Sequence, residues 1–344
     1  MELSDRKKKI LKAVVCENIK SAEPVSSQDL KDRYIKDVSS ATIRNELMAL
    51  EEMGFLSQPH SSSGRLPTAQ AFRLYADELA GRIKPTEKEI EKLRASFDNK
   101  MVDMEDFARS TARIISDATH YATVVKMNFG DDAVIDKINV IKISKSRALV
   151  VVVTDIGVIK DIIINTESDK DDRFFEDASK FITTVYQGKC LADLKNEDIL
   201  MDRVDKFKQL FNMVLEVISS KNRDSDEFFA VEGTSNLLNY PEYTSVEKAR
   251  DTIKLFENKK ELYPLIKTAD SLEINVKVGG EDNDKLSDCS LVSATYKING
   301  KEVGGAYVIG PVRMDYERTI KVLKGVSESL NDCFNKGGND EQDK

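Results

Sequence analysis

Apolar residues recur every three or four positions through roughly the first eighty residues of the chain, and farther on they cluster in short runs of strand length. Ser4 precedes Ile10, Leu11, Val14, Val15 and Ile19, a helical spacing behind a capping residue. Ser26-Ser27-Gln28-Asp29 has a capping-box pattern and predicts a short second helix to about Tyr34. Ser39 or Ser40 caps a third helix, in which Ile43, Leu47, Leu50 and Met53 make one buried stripe and Gly54 supplies a left-handed stop. Phe55 to Gln58 reads as a short strand, His60 to Arg65 as a tip, and Leu66 as the return. Pro67-Thr68 ends that hairpin, and Thr68 caps a fourth helix through Leu79. Three helices, a hairpin and a helix in eighty residues are the parts of a winged helix.

Beyond this head, Pro85 and the box Thr86-x-x-Glu89 predict a charged connector helix to about Asn99, followed by a longer helix over 103–118. Strand-like runs come next at Tyr121–Met127, Val134–Ile143, Ala148–Thr154 and Val158–Ile164. Their gaps are too short for parallel crossovers, so the pairing is antiparallel. Arg173 to Tyr186 is helical. Strand signal resumes only at Leu272–Val278, Ser290–Ile298 and Val303–Ile309, before a last helix from Tyr316 to Leu330. A strand region interrupted by some eighty helical residues indicates an inserted domain. The fold class is therefore α+β and multidomain.

One helix of the insertion carries Leu200, Val204, Phe207, Phe211, Val214 and Ile218 at spacings of 4, 3, 4, 3 and 4, a seam like that of a coiled coil. A subunit interface and an interior helix both fit this pattern.

Length and charge refine the picture. A chain of 344 residues exceeds one ordinary core. The net charge is −8, yet residues 1–84 hold 14 Lys and Arg against 12 Asp and Glu, a net of +2. The remaining 260 hold 38 against 48, a net of −10. A slightly basic head on an acidic body turns the head toward phosphates. No apolar run nears the roughly 20 residues that span a bilayer, and the N-terminus lacks an unbroken apolar leader, so a cytoplasmic protein without a membrane partner is expected. Four scattered cysteines and two histidines, His60 and His120, offer no metal-ligand spacing. Neither phosphate-cradling glycine loop occurs, and no nucleophile–base pattern stands out. No enzyme, metal or cofactor is expected.

The chemistry that remains lies on the third helix and the hairpin. Arg44 matches the guanine edge and Asn45 the adenine edge, while Ser39, Ser40, Thr42 and Met48 complete that face. Gln58, His60, Ser61, Ser62, Ser63, Gly64 and Arg65 form a wing whose small residues admit a phosphate closely and whose Arg65 can enter a minor groove. An ordinary solvated helix face would also carry Thr42, Arg44, Asn45 and Met48; the hairpin that follows favours double-stranded DNA.

The run from Ser39 to Thr68, with Gly310–Tyr316 (GPVRMDY) and Asn236–Tyr243 (NLLNYPEY), resembles the HrcA family of heat-inducible transcription repressors, essentially over the whole chain. The resemblance implies a winged-helix domain at 1–84, a connector at 85–100, a GAF-like domain at 101–190 and 270–336, a dimerisation domain inserted at 191–269, and a tail at 337–344. It also implies a homodimer that represses chaperone operons at an inverted repeat and is released on heat stress, with the chaperonin GroEL as partner and the nucleoid as its place when bound. A metabolite-responsive regulator, whose GAF-like domain binds a small effector, is the alternative.

Overall fold

The computed structural model describes residues 3–60, 63–97, 104–128, 133–155, 157–166, 170–190, 207, 210–214, 227–267, 274–279, 287–298 and 301–337. Residues 5–82 form α1 (Asp5–Ser21), α2 (Ser27–Arg33), α3 (Ser40–Glu52), the hairpin β1 (Leu56–Ser57) and β2 (Leu66–Pro67), and α4 (Ala69–Arg82). The caps expected on the first three helices are formed. Ser4 Oγ accepts from the Lys7 amide at 3.4 Å, Ser26 and Asp29 cap each other's backbones, and Ser39, rather than Ser40, accepts from Thr42. Gly54 follows α3 at φ +81°. Each cap contributes about 1 kcal/mol. Ile10, Val14, Leu30, Ile43 and Leu50 are fully buried where α1, α2 and α3 meet.

The body is built on a five-stranded antiparallel sheet in the order β7-β3-β10-β9-β8, with β3 at Ala122–Asn128, β7 at Glu227–Glu232, β8 at Ile274–Val278, β9 at Cys289–Ile298 and β10 at Lys301–Pro311. Val125, Val292 and Val308 share one face, where α6 (Met104–Thr119) and the C-terminal helix Tyr316–Gly337 cover them. Val124, Leu291 and Ile309 lie on the other, filled by Leu237, Tyr243, Leu255, Phe256 and Leu262. The predicted connector is a shorter helix, α5 (Glu87–Arg94). It packs on the C-terminal helix so closely that a Cβ at Gly325 would lie 2.7 Å from Leu93 Cδ1.

β4 (Ile135–Ser144), β5 (Arg147–Thr154) and β6 (Gly157–Asn165) match the predicted runs to within a residue or two but make a separate three-stranded antiparallel sheet. α7 (Asp172–Tyr186) packs on it, and the Ser179 and Thr183 hydroxyls accept the Val140 and Ile138 amides at 2.8 and 3.0 Å. The open edge of β4 is satisfied in this way. Residues 135–165 thus lie outside the five-stranded sheet, Glu227–Glu232 joins it as β7, and residues 237–266 pack on one of its faces. Hairpin pairing is local and legible, whereas the pairing of β3 with β7, some hundred residues on, leaves no local signal.

Of the helical seam, Leu200, Val204 and Ile218 lie outside the described residues. Phe207 and Phe211 face the chain's own α7: Phe207 lies 5.2 Å from Phe174 and Phe211 5.5 Å from Tyr186, ring centre to ring centre. Phe211 and Val214 are buried and Phe207 is half-buried in the same core. No described helix is long and apolar enough to cross a membrane.

Candidate nucleic-acid interface

α3 is held from behind and left bare in front. Ile43, Leu47 and Leu50 are buried, while Arg44, Asn45 and Met48 are exposed, Met48 by 48%. Ser39 Oγ receives the Thr42 amide at 3.1 Å and lies 2.8 Å from Thr42 Oγ1, so the half-buried Thr42 is engaged in the cap. Ser40 Oγ lies 3.3 Å from Ser27 Oγ and ties α3 to the start of α2. Among the described residues no hydrogen bond or ion pair occupies Arg44 or Asn45.

Two of the three carboxylates of the same helix, Glu46 and Glu51, are neutralised by neighbours. Glu46 Oε2 accepts from Lys7 Nζ at 2.7 Å with Arg6 at 3.8 Å, and Glu51 lies 2.9 Å from Arg65 Nε. Such partly exposed pairs add little stability. Their consequence is electrostatic, because two charges that would repel a phosphate backbone are cancelled beside Arg44. Arg6 and Lys7, at the start of α1, are thereby placed next to α3. No periodicity within either helix could have joined residues forty positions apart.

The hairpin is small and tightly braced. Leu56 pairs with Pro67 and Ser57 with Leu66. Ser63 Oγ donates to the His60 carbonyl at 2.7 Å and accepts the His60 amide at 3.0 Å, and Gln58 Nε2 donates to the Ser63 carbonyl at 3.0 Å. His60 is exposed; Ser61 and Ser62, which the sequence places at the tip, lie outside the described residues. Two expectations need correction. Arg65 is not a free tip residue: its side chain is 14% exposed against Glu51, and its amide and carbonyl exchange 2.9 Å bonds with Val25. Thr68 precedes α4, but its hydroxyl donates to the Gly54 and Phe55 carbonyls at 2.8 and 3.1 Å instead of capping the helix. Both side chains close the base of the hairpin. At Gly64 a Cβ would sit 2.5 Å from the Val25 carbonyl, so this position takes glycine for close backbone approach.

A cleft away from this face, between the end of α1 and α2, is lined by Glu17, Lys20, Ser21, Arg33 and Tyr34. Its groups satisfy one another: Arg33 and Tyr34 both donate to Glu17, and Lys20 donates to Tyr34. Burial, with the hydrogen bond to Glu17, pushes the Tyr34 phenol above its ordinary value. His120, at φ +63°, turns the chain from α6 into β3, and its Nε2 lies 3.3 Å from Arg318. Among the described residues no cluster of His, Cys, Asp and Glu has the arrangement of a metal site.

Comparison with known proteins places the chain among close relatives. The profile of the HrcA protein C-terminal domain matches residues 105–320. The heat-inducible transcription repressor HrcA of Natranaerobius thermophilus is 33% identical over 339 residues, 98% of each chain. That of Thermoanaerobacter sp. strain X514 is 34% identical over 353 aligned positions, 99% of this chain and all of the relative. A crystal structure described as that of a hypothetical protein at 2.2 Å resolution superposes with a TM-score of 0.67 over 97% of this chain and 99% of that one, at 23% identity, and shares the fold.

Proposed function

The chain belongs to the HrcA family of heat-inducible transcription repressors, and on that premise we propose that it represses heat-shock transcription by seating α3 of a winged-helix head in the major groove of an inverted-repeat operator. The observation that carries this reading is the outer face of α3, where Arg44, Asn45 and Met48 stand unoccupied beside neutralised carboxylates. Arg44 contributes a fork for guanine O6 and N7, Asn45 the complementary pair for adenine. The backbone and hydroxyls of His60 to Gly64 approach phosphate, while Arg65 holds the wing rather than the DNA. The five-stranded sheet is the GAF-like domain of this scheme, and the protein acts in the cytoplasm, at the nucleoid when bound.

An inverted repeat needs two heads related by a two-fold axis. The dimer face proposed is the outer side of the three-stranded sheet. There Ile141, Leu149 and Ile163 stand directly opposite one another across the three strands, with Ile141 and Ile163 51% and 55% exposed. A second copy of the same face covers this row, and isologous pairing tethers the second head so that its contact becomes intramolecular. Release on heat stress, with the chaperonin GroEL as partner, is carried over from the resemblance.

Selection of bound sequences from random duplexes tests the whole reading. Enrichment of an inverted repeat is expected, with Arg44→Ala weakening it by about 1–3 kcal/mol and relaxing preference at one base pair per half-site. Uniform loss on every sequence would make Arg44 a phosphate contact. Absence of any enriched palindrome would remove the proposal.

A further inference from the structure

Two motifs take no part in the DNA face, Asn236–Tyr243 and Gly310–Tyr316, and they meet at one point. Arg313 donates through Nε to Glu242 Oε1 at 2.6 Å and through Nη2 to Oε2 at 3.2 Å, a forked pair. Its Nη1 donates at 3.1 Å to the carbonyl of Ile19, in the last turn of α1 in the head. The guanidinium lies 5.9 Å from the Tyr240 ring, which stacks on Tyr121 at 5.3 Å, and the Tyr121 hydroxyl accepts the Asp315 amide at 2.8 Å. Glu242, Tyr240 and Tyr121 thus prescribe where the Arg313 fork points, and only one of its three nitrogens, Nη1, is directed to the head.

The other described ties between head and body run along α4. Arg73 Nη1 donates to the Val276 carbonyl at 2.5 Å, Phe72 packs on Tyr316, and Lys324 Nζ donates to the Ala80 and Ile83 carbonyls at 3.0 Å each. A domain anchored along one helix retains a rotation about it; an anchor on a second helix removes that rotation. We propose that Arg313 is a positioning residue that sets the angle at which the head leaves the body, and through it the separation of the two recognition helices in a dimer. For its DNA consequence this rests on the reading given above.

Two measurements on the full-length protein test it, with Arg313→Ala, Arg313→Lys and Glu242→Gln. The first needs no DNA: spin labels introduced through unnatural amino acids at the exposed Glu52 and Glu247 report the head-to-body distance distribution. A narrow distribution is expected in the parent protein and a broad one in all three variants. The lysine variant belongs with them because a single ammonium cannot fork to Glu242 and still reach Ile19. The second compares an operator of selected spacing with one lengthened by about five base pairs, half a helical turn. The parent protein discriminates between them, and the variants lose about tenfold of that discrimination while keeping half-site affinity. A broad distribution in the parent, or equal widths and equal spacing ratios in parent and variants, overturns the proposal. So does loss of half-site binding, which would make Arg313 part of the folding of the head. A parent that holds a narrow distribution but binds no inverted repeat leaves the anchor standing and removes the DNA reading instead.

Discussion

Replacing Gly64 with alanine puts a methyl carbon 2.5 Å from both the carbonyl carbon and oxygen of Val25, and 2.8 Å from the Pro24 carbonyl carbon. These are backbone atoms, so neither side can rotate away, and the strand from Gly64 to Arg65 must lift off the α1–α2 connection. The lift breaks two 2.9 Å backbone bonds, Val25 to Arg65 and Arg65 to Val25, each worth about 1 kcal/mol. It also moves Arg65 off Glu51, a partly exposed pair worth about 0.5 kcal/mol. Against this, alanine stiffens the unfolded chain and returns about 0.5 kcal/mol. The net is a local loss of about 2 kcal/mol, read as a roughly thirtyfold rise in hydrogen exchange at the Val25 and Arg65 amides. Because the wing is displaced and Glu51 is uncovered, the dependence of DNA affinity on salt should flatten, each lost phosphate contact removing close to one unit of slope. Gly81 is the control, since an added Cβ there meets nothing within 4 Å, and Gly81→Ala near the end of α4 should stabilise by up to about 1 kcal/mol. Exchange at Val25 and Arg65 within twofold of the parent in Gly64→Ala, with an unchanged salt slope, would refute the argument that this glycine exists for backbone contact.

Ala22 ends α1 in the left-handed region at φ +61°, so Ala22→Gly should raise stability by about 1 kcal/mol in chemical denaturation; a destabilised variant would mean that the methyl packs usefully. Hydrogen bonds from Ser26 hold the Asp29 carboxyl below its ordinary value, so its stabilisation is complete above that value and is lost as pH falls through the lower, folded one. Asp29→Asn should therefore flatten the acid limb of the stability profile, and an unchanged limb would show that the box does not matter. With α3 seated as proposed, the exposed Met48 would offer an apolar tip to a thymine methyl. Replacing each thymine of a half-site by deoxyuridine should weaken the parent at one position and Met48→Ala at none, whereas equal losses in both would place Met48 away from the bases.

Much of this architecture was legible because it is local. Caps at Ser4, Ser26 and Ser39, the stop at Gly54 and the stripe Ile43–Leu47–Leu50 follow from hydrogen-bonding chemistry and the 3.6-residue period, and they orient Arg44, Asn45 and Met48 outward without reference to any other element. Strand positions from 135 to 165 were equally plain, because consecutive hairpins pair neighbours. What the chain could not disclose were partners distant in sequence. β4 to β6 form their own sheet because β3 finds β7 and β10 instead, Phe211 packs on the distant α7, and Arg65 lies against Glu51. Arg313 shows the same limit most clearly, joined to Glu242 and to Ile19, 294 residues away. Periodicity tells which way a side chain points from its own helix or strand; which group it meets there is decided only when the elements pack, since contact depends on distance in space and not along the chain.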